Sequence, residues 1–339
     1  MIPKFILSRG KVLEQYNKVK HYCDTVSYSS KTNQDVTKLL ESETDSMFSV
    51  HLVNELKHIT DKSRVIFLAQ AWDNKLISSL LAQEIKWFVV DNEADLDILL
   101  GYLEKNHAKI NLLLRIKLKE NTIRTEKYFV FGMDSETVNR RLKELRKNPN
   151  ITNLGIHFHR KTQNMAEWNL KYEISNIIDD LNLLDVVNIG GGIPAEYANT
   201  NVKVIGSIFN KLSEFKEFLK EKCIQMIIEP GRFIAAPALR LVTSIVSVNQ
   251  HNVTVNASVY NTDMDAIIVP VKLLIEGERQ EGTPYAVKGC TPCSMDLFRY
   301  KVYLDDPKVG DMLVFLNAGA YNFASDFCDL EKLPTEVVE

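Results

Sequence analysis

Short apolar runs rich in β-branched residues alternate with longer amphipathic stretches over the first two thirds of the chain. The short runs have the length and composition of buried strands, and the stretches between them have the spacing of helices. Eight runs predict strands, at residues 25–30, 47–50, 65–69, 87–90, 112–116, 153–159, 186–189 and 226–228.

Helices are predicted between these strands, among them at residues 74–83, 93–105, 135–145, 166–181 and 206–220. Eight strands alternating with helices are typical of a parallel (β/α)8 TIM-like barrel. A doubly wound sheet is compatible with the same alternation. We predict the barrel, over residues 11–234.

The pattern changes after Arg232, where strand-like runs separated by turns follow one another without long helical stretches. We therefore predict a C-terminal all-β domain over residues 235–339. The apolar run at residues 4–7 is expected to pair into that domain, which makes residues 1–10 part of it. The predicted strands of the domain are 239–248, 253–259, 266–274, 285–287, 300–304 and 312–316.

The amino-acid composition, with 45% hydrophobic and 25% charged residues, is typical of a soluble globular protein. A formal net charge of -3 gives no reason to expect a nucleic-acid partner, and no apolar run is long enough to span a membrane. We expect no signal peptide in the first residues. Five cysteines, an odd and sparse set, favour reduced thiols in the cytoplasm.

Four groups that could bind a ligand or take part in a reaction lie at or just after the ends of predicted strands. They are Lys31, His159, the glycines at 190–192 and the segment 229–232. In a barrel these ends form one rim, where ligands bind. A lysine there can form an imine with an aldehyde cofactor. Consecutive glycines and Arg232 can bind a phosphate, and Glu229 can hold a proton on a ring nitrogen. Together they indicate a pocket for a phosphorylated, ring-bearing cofactor.

Each signal also has a structural interpretation. Lys31 could be a solvated charge, and three glycines could form a tight turn or part of a nucleotide site. We expect His157 and His159 to face different sides of the barrel wall, with His157 as a structural histidine. Cys290 and Cys293 could be half a metal site or a redox pair, but no second such pair occurs, so no metal site is predicted.

Six motifs occur in an order and spacing that resemble the fold-type III pyridoxal-phosphate-dependent decarboxylases. That family includes ornithine, diaminopimelate and carboxynorspermidine decarboxylases and related siderophore-pathway enzymes. The resemblance covers nearly the whole chain and implies an alanine-racemase-like fold, pyridoxal 5'-phosphate as cofactor and decarboxylation at Cα. The motifs are SYSSKTN, GIHFHRKT, NIGGGIP, EPGRF, KGCTPCSMDLF and NAGAYNF.

The resemblance also implies roles for individual residues. Lys31 would hold the cofactor as an imine, His159 would stack on its ring, and Glu229 would pair with the pyridine nitrogen so that the ring accepts electrons. Glu55 would support the rim behind the cofactor. The phosphate would be bound by Thr162, Gly191, Gly192, Gly231, Arg232 and Tyr321.

A homodimer with shared active sites is implied as well. The thiol of the partner's Cys293 would return a proton to Cα, and the partner's Asp296 would contact a substrate amine. The spacing between cysteine and aspartate departs from the family pattern, so Cys290 is the alternative acid.

The substrate is expected to be a small molecule, either an amino acid or an amino-acid conjugate of the polyamine or siderophore pathways. Val269 stands where ornithine-type enzymes have an acidic residue and diaminopimelate enzymes an arginine, which favours larger conjugates. An amino-acid racemase on the same fold, for example one acting on ornithine, is the alternative, although Glu229 favours decarboxylation. A non-enzymatic protein that binds pyridoxal phosphate is a further alternative.

Overall fold

The computed structural model describes residues 1–118 and 131–339, and it divides into two compact units. We call the first the barrel unit, Tyr16–Ile193 with Val204–Pro230, and the second the sheet unit, Met1–Gln15 with Pro194–Lys203 and Gly231–Glu339. The domain limits after residues 10 and 234 stay predictions, and the division in the structure falls elsewhere. Residues 194–203 group with the sheet unit because Ala198 and Asn199 form hydrogen bonds there, with the carbonyls of Lys272 and Pro270.

The elements of the described residues are numbered in chain order. The strands are β1 Lys4–Ser8, β2 Thr25–Ser29, β3 Met47–Val50, β4 Val65–Leu68, β5 Trp87–Val90, β6 Ile110–Arg115, β7 Ile151–His157, β8 Val186–Asn188, β9 Gln225–Ile228, β10 Leu239–Asn249, β11 Asn252–Val255, β12 Leu274–Ile275, β13 Arg279–Lys288, β14 Leu297–Tyr303, β15 Met312–Leu316 and β16 Thr335–Val338. The helices are α1 Arg9–Lys20, α2 Gln34–Glu43, α3 Asn74–Ala82, α4 Glu93–Asn106, α5 Ser135–Leu145, α6 Leu170–Ile177, α7 Ile205–Lys220, α8 Arg232–Ala238, α9 Val259–Thr262 and α10 Asp265–Ile268.

Strands β2 to β9 pair in parallel and close into an eight-stranded barrel, which confirms the predicted fold class. All eight predicted strands are present, with ends shifted by a few residues. The closed sheet encloses side chains from alternate strand positions, so its interior is a packed core. That core cluster consists of Ile66, Leu68, Val89, Leu113, Val186 and Ile227.

Short polar caps start three barrel helices shortly after a strand ends. The side chains of Asn33, Asp73 and Asn92 each accept a hydrogen bond from a backbone N–H in the first turn of the following helix. Such caps satisfy donors that a helix leaves unpaired. The chain therefore turns sharply at the rim and keeps the residues just before each cap at the carboxyl ends of the strands.

The helix predicted at residues 166–181 is shorter in the structure, where α6 begins only at Leu170. The preceding residues form a loop around Asn164. Its side chain accepts hydrogen bonds from the backbone N–H groups of Ala166 and Glu167, and the indole of Trp168 donates to its carbonyl. These local hydrogen bonds compete with helix formation.

The sheet unit contains a curled sheet in which β12, β15, β10, β11, β13 and β14 lie side by side. Strand β1 pairs antiparallel with β10 and parallel with β16, which confirms that residues 4–7 join this sheet. The long strand predicted at 266–274 is wrong: α10 occupies its start and β12 only its end. Pro270 cannot donate to a strand ladder, which accounts for the break between them.

The strand predicted at 253–259 ends early, at Val255. Ser258 instead caps α9 by accepting a hydrogen bond from the backbone N–H of Tyr260 at 3.1 Å.

Within residues 1–118 and 131–339, no helix combines the length and the apolar character needed to cross a membrane.

Replacing Gly155 with alanine should strongly destabilise the barrel. A Cβ there would lie 2.1 Å from the carbonyl oxygen of Val186 on the neighbouring strand β8, and a backbone atom cannot move aside cheaply. We expect a loss of about 3 kcal/mol in the free energy of unfolding, measured by urea denaturation. Gly101→Ala is the control, because no atom lies within 4 Å of its added Cβ in α4; it should raise stability by about 0.8 kcal/mol. Equal effects of the two substitutions would contradict this account of the barrel wall.

Candidate active site

The carboxyl ends of the barrel strands bring six polar side chains to one rim. Parallel strands of a closed barrel all end on the same face, so residues distant in sequence meet there. The six are Lys31 just after β2, Ser49 in β3, Arg115 ending β6, His157 ending β7, Asn188 ending β8 and Glu229 just after β9.

Glu229 is almost fully buried, with 7% of its surface exposed, and it accepts three hydrogen bonds. Ser49 Oγ donates to Oε1 at 2.7 Å and Asn188 Nδ2 donates to the same oxygen at 2.8 Å. His157 Nε2 lies 3.2 Å from Oε2. Burial raises the pKa of a carboxyl, but the histidine and the two other donors outweigh it and hold the pKa of Glu229 below its usual range. The carboxylate is therefore ionised and fixed in orientation.

His157 and His159 lie on the same side of the barrel wall, so the prediction that they face different sides is wrong. Residues two apart along a strand share a face, which the prediction overlooked. His157 is buried with its ring against Glu229, and Glu229 also acts electrostatically on His159. Burial lowers the pKa of His157, so its imidazole is neutral and donates to the carboxylate through Nε2.

His159 presents a neutral ring at the rim. Burial, with the nearby Arg115 guanidinium, lowers its pKa to about 3. The backbone N–H of Gly191 donates to Nδ1 at 3.2 Å, which fixes the plane of the ring. A neutral imidazole held in this way can stack on a flat heterocycle.

The glycines after β8 let the backbone come close to Glu229. Gly190 and Gly192 have φ of 65° and 100°, in the region that favours glycine. A Cβ on Gly191 would lie only 2.7 Å from the carbonyl oxygen of Glu229. Gly192 also lies beside the loop after β7 that contains Thr162, because its carbonyl accepts a hydrogen bond from the backbone N–H of Asn164 at 2.9 Å. The predicted phosphate residues of the barrel unit therefore belong to adjoining loops.

Lys31 lies in a single helical turn directly after β2, with an amine in contact with solvent but surrounded by protein on most sides. Burial lowers its pKa, the charges of Glu55 and Glu229 oppose that shift, and Arg115 adds to it. Nζ is 3.3 Å from Nε2 of His51. Strands β2 and β9 pair in parallel, so Lys31 and Glu229, which follow them, lie at neighbouring strand ends of the barrel rim.

Sequence reasoning missed His51, Ser49, Arg115 and Asn188, and it treated His157 as structural. All of them lie at or just after the ends of strands that were predicted correctly. Applying the strand-end rule to every polar residue would have found them. Nothing in their residue types alone marks them as functional.

Three predicted cofactor residues, Gly231, Arg232 and Tyr321, belong to the sheet unit. Arg232 is buried and donates to Asp265 through Nε at 2.9 Å and Nη2 at 2.5 Å, and its guanidinium lies 4.9 Å from the ring centre of Tyr321. This two-point ion pair fixes the guanidinium.

Cys293 and Asp296 also belong to the sheet unit. The Cys293 thiol lies 3.1 Å from the hydroxyl of Tyr260, whereas Cys290 is exposed. Asp296 is buried, and its carboxylate accepts hydrogen bonds from the backbone N–H groups of Val259 and Thr291 and from the Thr291 hydroxyl. In the part of the chain that the structure describes, no cluster of three or more potential ligands could hold a metal ion.

A family model described as the pyridoxal-binding domain of pyridoxal-dependent decarboxylases matches residues 9–236, more than half of the chain. The protein belongs to this family. It is accordingly a pyridoxal-phosphate-dependent amino-acid decarboxylase, as the resemblance implied.

Similar proteins extend the likeness beyond the matched domain. A probable ornithine decarboxylase of Dictyostelium discoideum is 24% identical over 95% of this chain and 76% of its own length. Antizyme inhibitor 2 of Xenopus laevis is 24% identical over 91% of this chain and 74% of its own. The crystal structure of a lysine/ornithine decarboxylase from Vibrio vulnificus with cadaverine has a TM-score of 0.82 and 22% identity, covering 99% and 94% of the two chains. At that identity the structural likeness shows the fold.

The residues of the barrel unit fit pyridoxal phosphate. Lys31 offers the amine and Glu229 an ionised carboxylate, and Oε2 accepts only the contact from His157 among the described residues, which leaves it room for a ring N–H. The glycine loop lies close to both Glu229 and the loop that contains Thr162, and the N–H of Gly191 already donates to His159. When bound, the cofactor supplies an aldehyde and an electron-withdrawing ring.

Replacing Asp263 with asparagine should stabilise the protein increasingly as the pH rises. Asp263 is buried in the sheet unit, and burial, with the neighbouring Asp265, raises its pKa to about 7. The unfolded chain releases this proton near pH 3.9. Between those values the native state binds more protons than the unfolded one, so wild-type stability falls as pH rises, by up to about 1.4 kcal/mol per pH unit.

The neutral asparagine lacks this dependence. Urea unfolding across the range should show the difference between Asp263→Asn and wild type growing with pH up to about 7 and then levelling off. A difference that is the same at every pH would contradict the assignment.

Proposed function

We propose that this decarboxylase removes the Cα carboxylate of an amino acid or amino-acid conjugate of the polyamine or siderophore type. The observation that carries the proposal is that Lys31 and Glu229 follow the paired strands β2 and β9 at one barrel rim, where hydrogen bonds hold the Glu229 carboxylate in place. The substrate class is supported by the similarity to proteins named for ornithine and lysine. Val269, in place of a charged residue, favours a substrate larger than these diamino acids.

The barrel residues have distinct parts in this proposal. Lys31 would be the covalent attachment point, and Glu229 would keep a proton on the ring nitrogen. His159, neutral and held by Gly191, would stack on the ring. The proposed phosphate contacts are Thr162, Gly191, Gly192, Gly231, Arg232 and Tyr321.

Glu229→Gln should lower decarboxylation by at least about 10²-fold, because a neutral amide cannot hold the ring proton. The measurement is carbon dioxide released from L-ornithine, L-lysine and carboxylated polyamines. Cofactor content, read from absorbance after loading, should stay near that of wild type. Glu221→Gln, at an exposed position, is the control. Loss of optical rotation without carbon dioxide from wild type would instead support the racemase.

The thiol that returns a proton to Cα is proposed to be Cys293. The hydrogen bond with Tyr260 lowers the pKa of Cys293, and the Tyr260 ring is itself stacked on Phe327 at 4.0 Å. Burial raises the pKa of Cys290, the alternative acid. All five cysteines are free, which supports the proposed cytoplasmic location.

A direct contact between Asp296 and a substrate amine stays a prediction. Its two oxygens already accept three hydrogen bonds, two from Thr291 in the loop that contains Cys293 and one from the backbone N–H of Val259 at the start of α9. These contacts support a role in holding that loop.

A homodimer in which the partner's Cys293 completes each site is part of the proposal. Cys293→Ala should lower activity by about 10² to 10⁴-fold, the usual effect of removing a positioned acid, whereas Cys290→Ala should stay near wild type. Mixing inactive Lys31→Ala and Cys293→Ala proteins should restore about a quarter of wild-type activity, since half the dimers then contain one intact site. Failure of the mixture to recover any activity, although the subunits exchange, would contradict shared sites.

A further inference from the structure

The amine of Lys31 has an imidazole within hydrogen-bond distance. Nε2 of His51 lies 3.3 Å from Nζ, and His51 directly follows β3, the strand next to β2 in the barrel. A nucleophile within reach of a side chain that can accept its proton is the arrangement by which nucleophiles are activated. This contact is not used by any role assigned above.

Glu55 fixes His51 from the other side. Its Oε1 accepts hydrogen bonds from the backbone N–H groups of His51 at 2.8 Å and Leu52 at 2.9 Å, and it lies 3.9 Å from Nδ1 of His51. Oε2 of Glu55 and Nδ1 of His51 are buried and have no hydrogen-bond partner among residues 1–118 and 131–339. The ring of His51 therefore lies between the amine of Lys31 and the carboxylate of Glu55.

The carboxylate of Glu55 lies 3.9 Å from Nδ1 of His51, and its charge favours the tautomer that has the proton on Nδ1. In that tautomer the lone pair of Nε2 is on the nitrogen that lies 3.3 Å from the amine. Burial, with the charge of Lys31, lowers the pKa of His51 to about 3, so the resting ring is neutral and has one ring nitrogen without a proton. The other titratable groups acting on it are Glu55, Glu229, His157 and Arg115.

We propose that His51 is a catalytic residue that exchanges a proton with Nζ of Lys31, with Glu55 as the residue that positions its ring. In the forward step one N–H bond of the lysine breaks, its electron pair stays on Nζ, and the proton forms a bond to Nε2 of His51. The electron pair would then form a bond to the carbonyl carbon, and the carbonyl oxygen would leave as water with the proton from His51 and a second proton from Nζ. In the reverse direction water adds back, and His51 accepts the proton again. This inference rests on the proposed role of Lys31 as attachment point and adds the group that controls its protons.

The test is the rate at which the full-length apoprotein binds pyridoxal phosphate at Lys31. The rate is followed by stopped-flow absorbance, and attachment to Lys31 is confirmed by borohydride reduction and peptide mass spectrometry. His51→Gln should slow attachment by about 10²-fold, the lower range for removing a positioned acid–base group, with final occupancy within a few-fold of wild type. His251→Gln, exposed in the sheet unit, is the matched control and should attach at the wild-type rate.

Rescue separates proton transfer from mere packing. In His51→Ala, added imidazole should restore the attachment rate in proportion to its concentration, and N-methylpyrrole, which has a similar shape but no basic nitrogen, should not. His51→Asn serves if the glutamine variant fails to fold. Unchanged attachment rates in a folded His51 variant, or equal rescue by both compounds, would overturn the proposal.

The readout also separates this inference from the proposed function. If wild type attaches the cofactor with the predicted His51 dependence but releases no carbon dioxide from any substrate tested, the substrate proposal fails and the His51 proposal stands. If decarboxylation is observed while His51→Gln attaches the cofactor as fast as wild type, only the His51 proposal fails.

Discussion

A buried, ionised carboxylate is the constraint on which the barrel rim depends. Removing Glu229 from water is unfavourable unless other groups take the place of the solvent. Ser49, Asn188 and His157, from three different strands, do so with hydrogen bonds of 2.7, 2.8 and 3.2 Å. Register errors between these strands would leave the charge without donors, so the same contacts that prepare the site also favour one arrangement of the barrel.

Neutral imidazoles are a second property of this rim. His51, His157 and His159 all have lowered pKa values, each chiefly because of burial. Neutral rings can donate, accept or stack without adding positive charge to a region that already contains Arg115 and Lys31. The three histidines therefore add no positive charge beside Arg115 and Lys31.

The alternation of strands and helices was enough to predict the barrel, because its strands are short and apolar and are separated by amphipathic stretches. It also placed Lys31, His159 and Glu229 correctly at strand ends. What it could not provide was the partners of those residues. Serine at 49, histidine at 51 and asparagine at 188 are ordinary residue types, and they gain their meaning only when closure of the sheet brings β3 and β8 near Glu229.

The sheet unit was harder to predict for a different reason. Its strands are interrupted by short helices whose starts depend on single capping residues such as Ser258, and apolar content over residues 266–274 does not reveal that α10 lies there. The ion pair between Arg232 and Asp265 could not be predicted either, because the periodicity of the sequence does not show that these two residues meet.

Strand β1 pairs with β10 and β16, which follow it by well over two hundred and three hundred residues. During synthesis β1 therefore emerges from the ribosome long before either neighbour exists, while every strand of the barrel is made in between. The barrel can close as soon as β9 has emerged, but β1 has exposed backbone edges until β10 and then β16 follow. Exposed edges of this kind favour pairing between nascent chains. Slow translation between β9 and β10 would lengthen that exposure, so soluble yield in a recombinant host should respond to codon choice in this interval more than elsewhere.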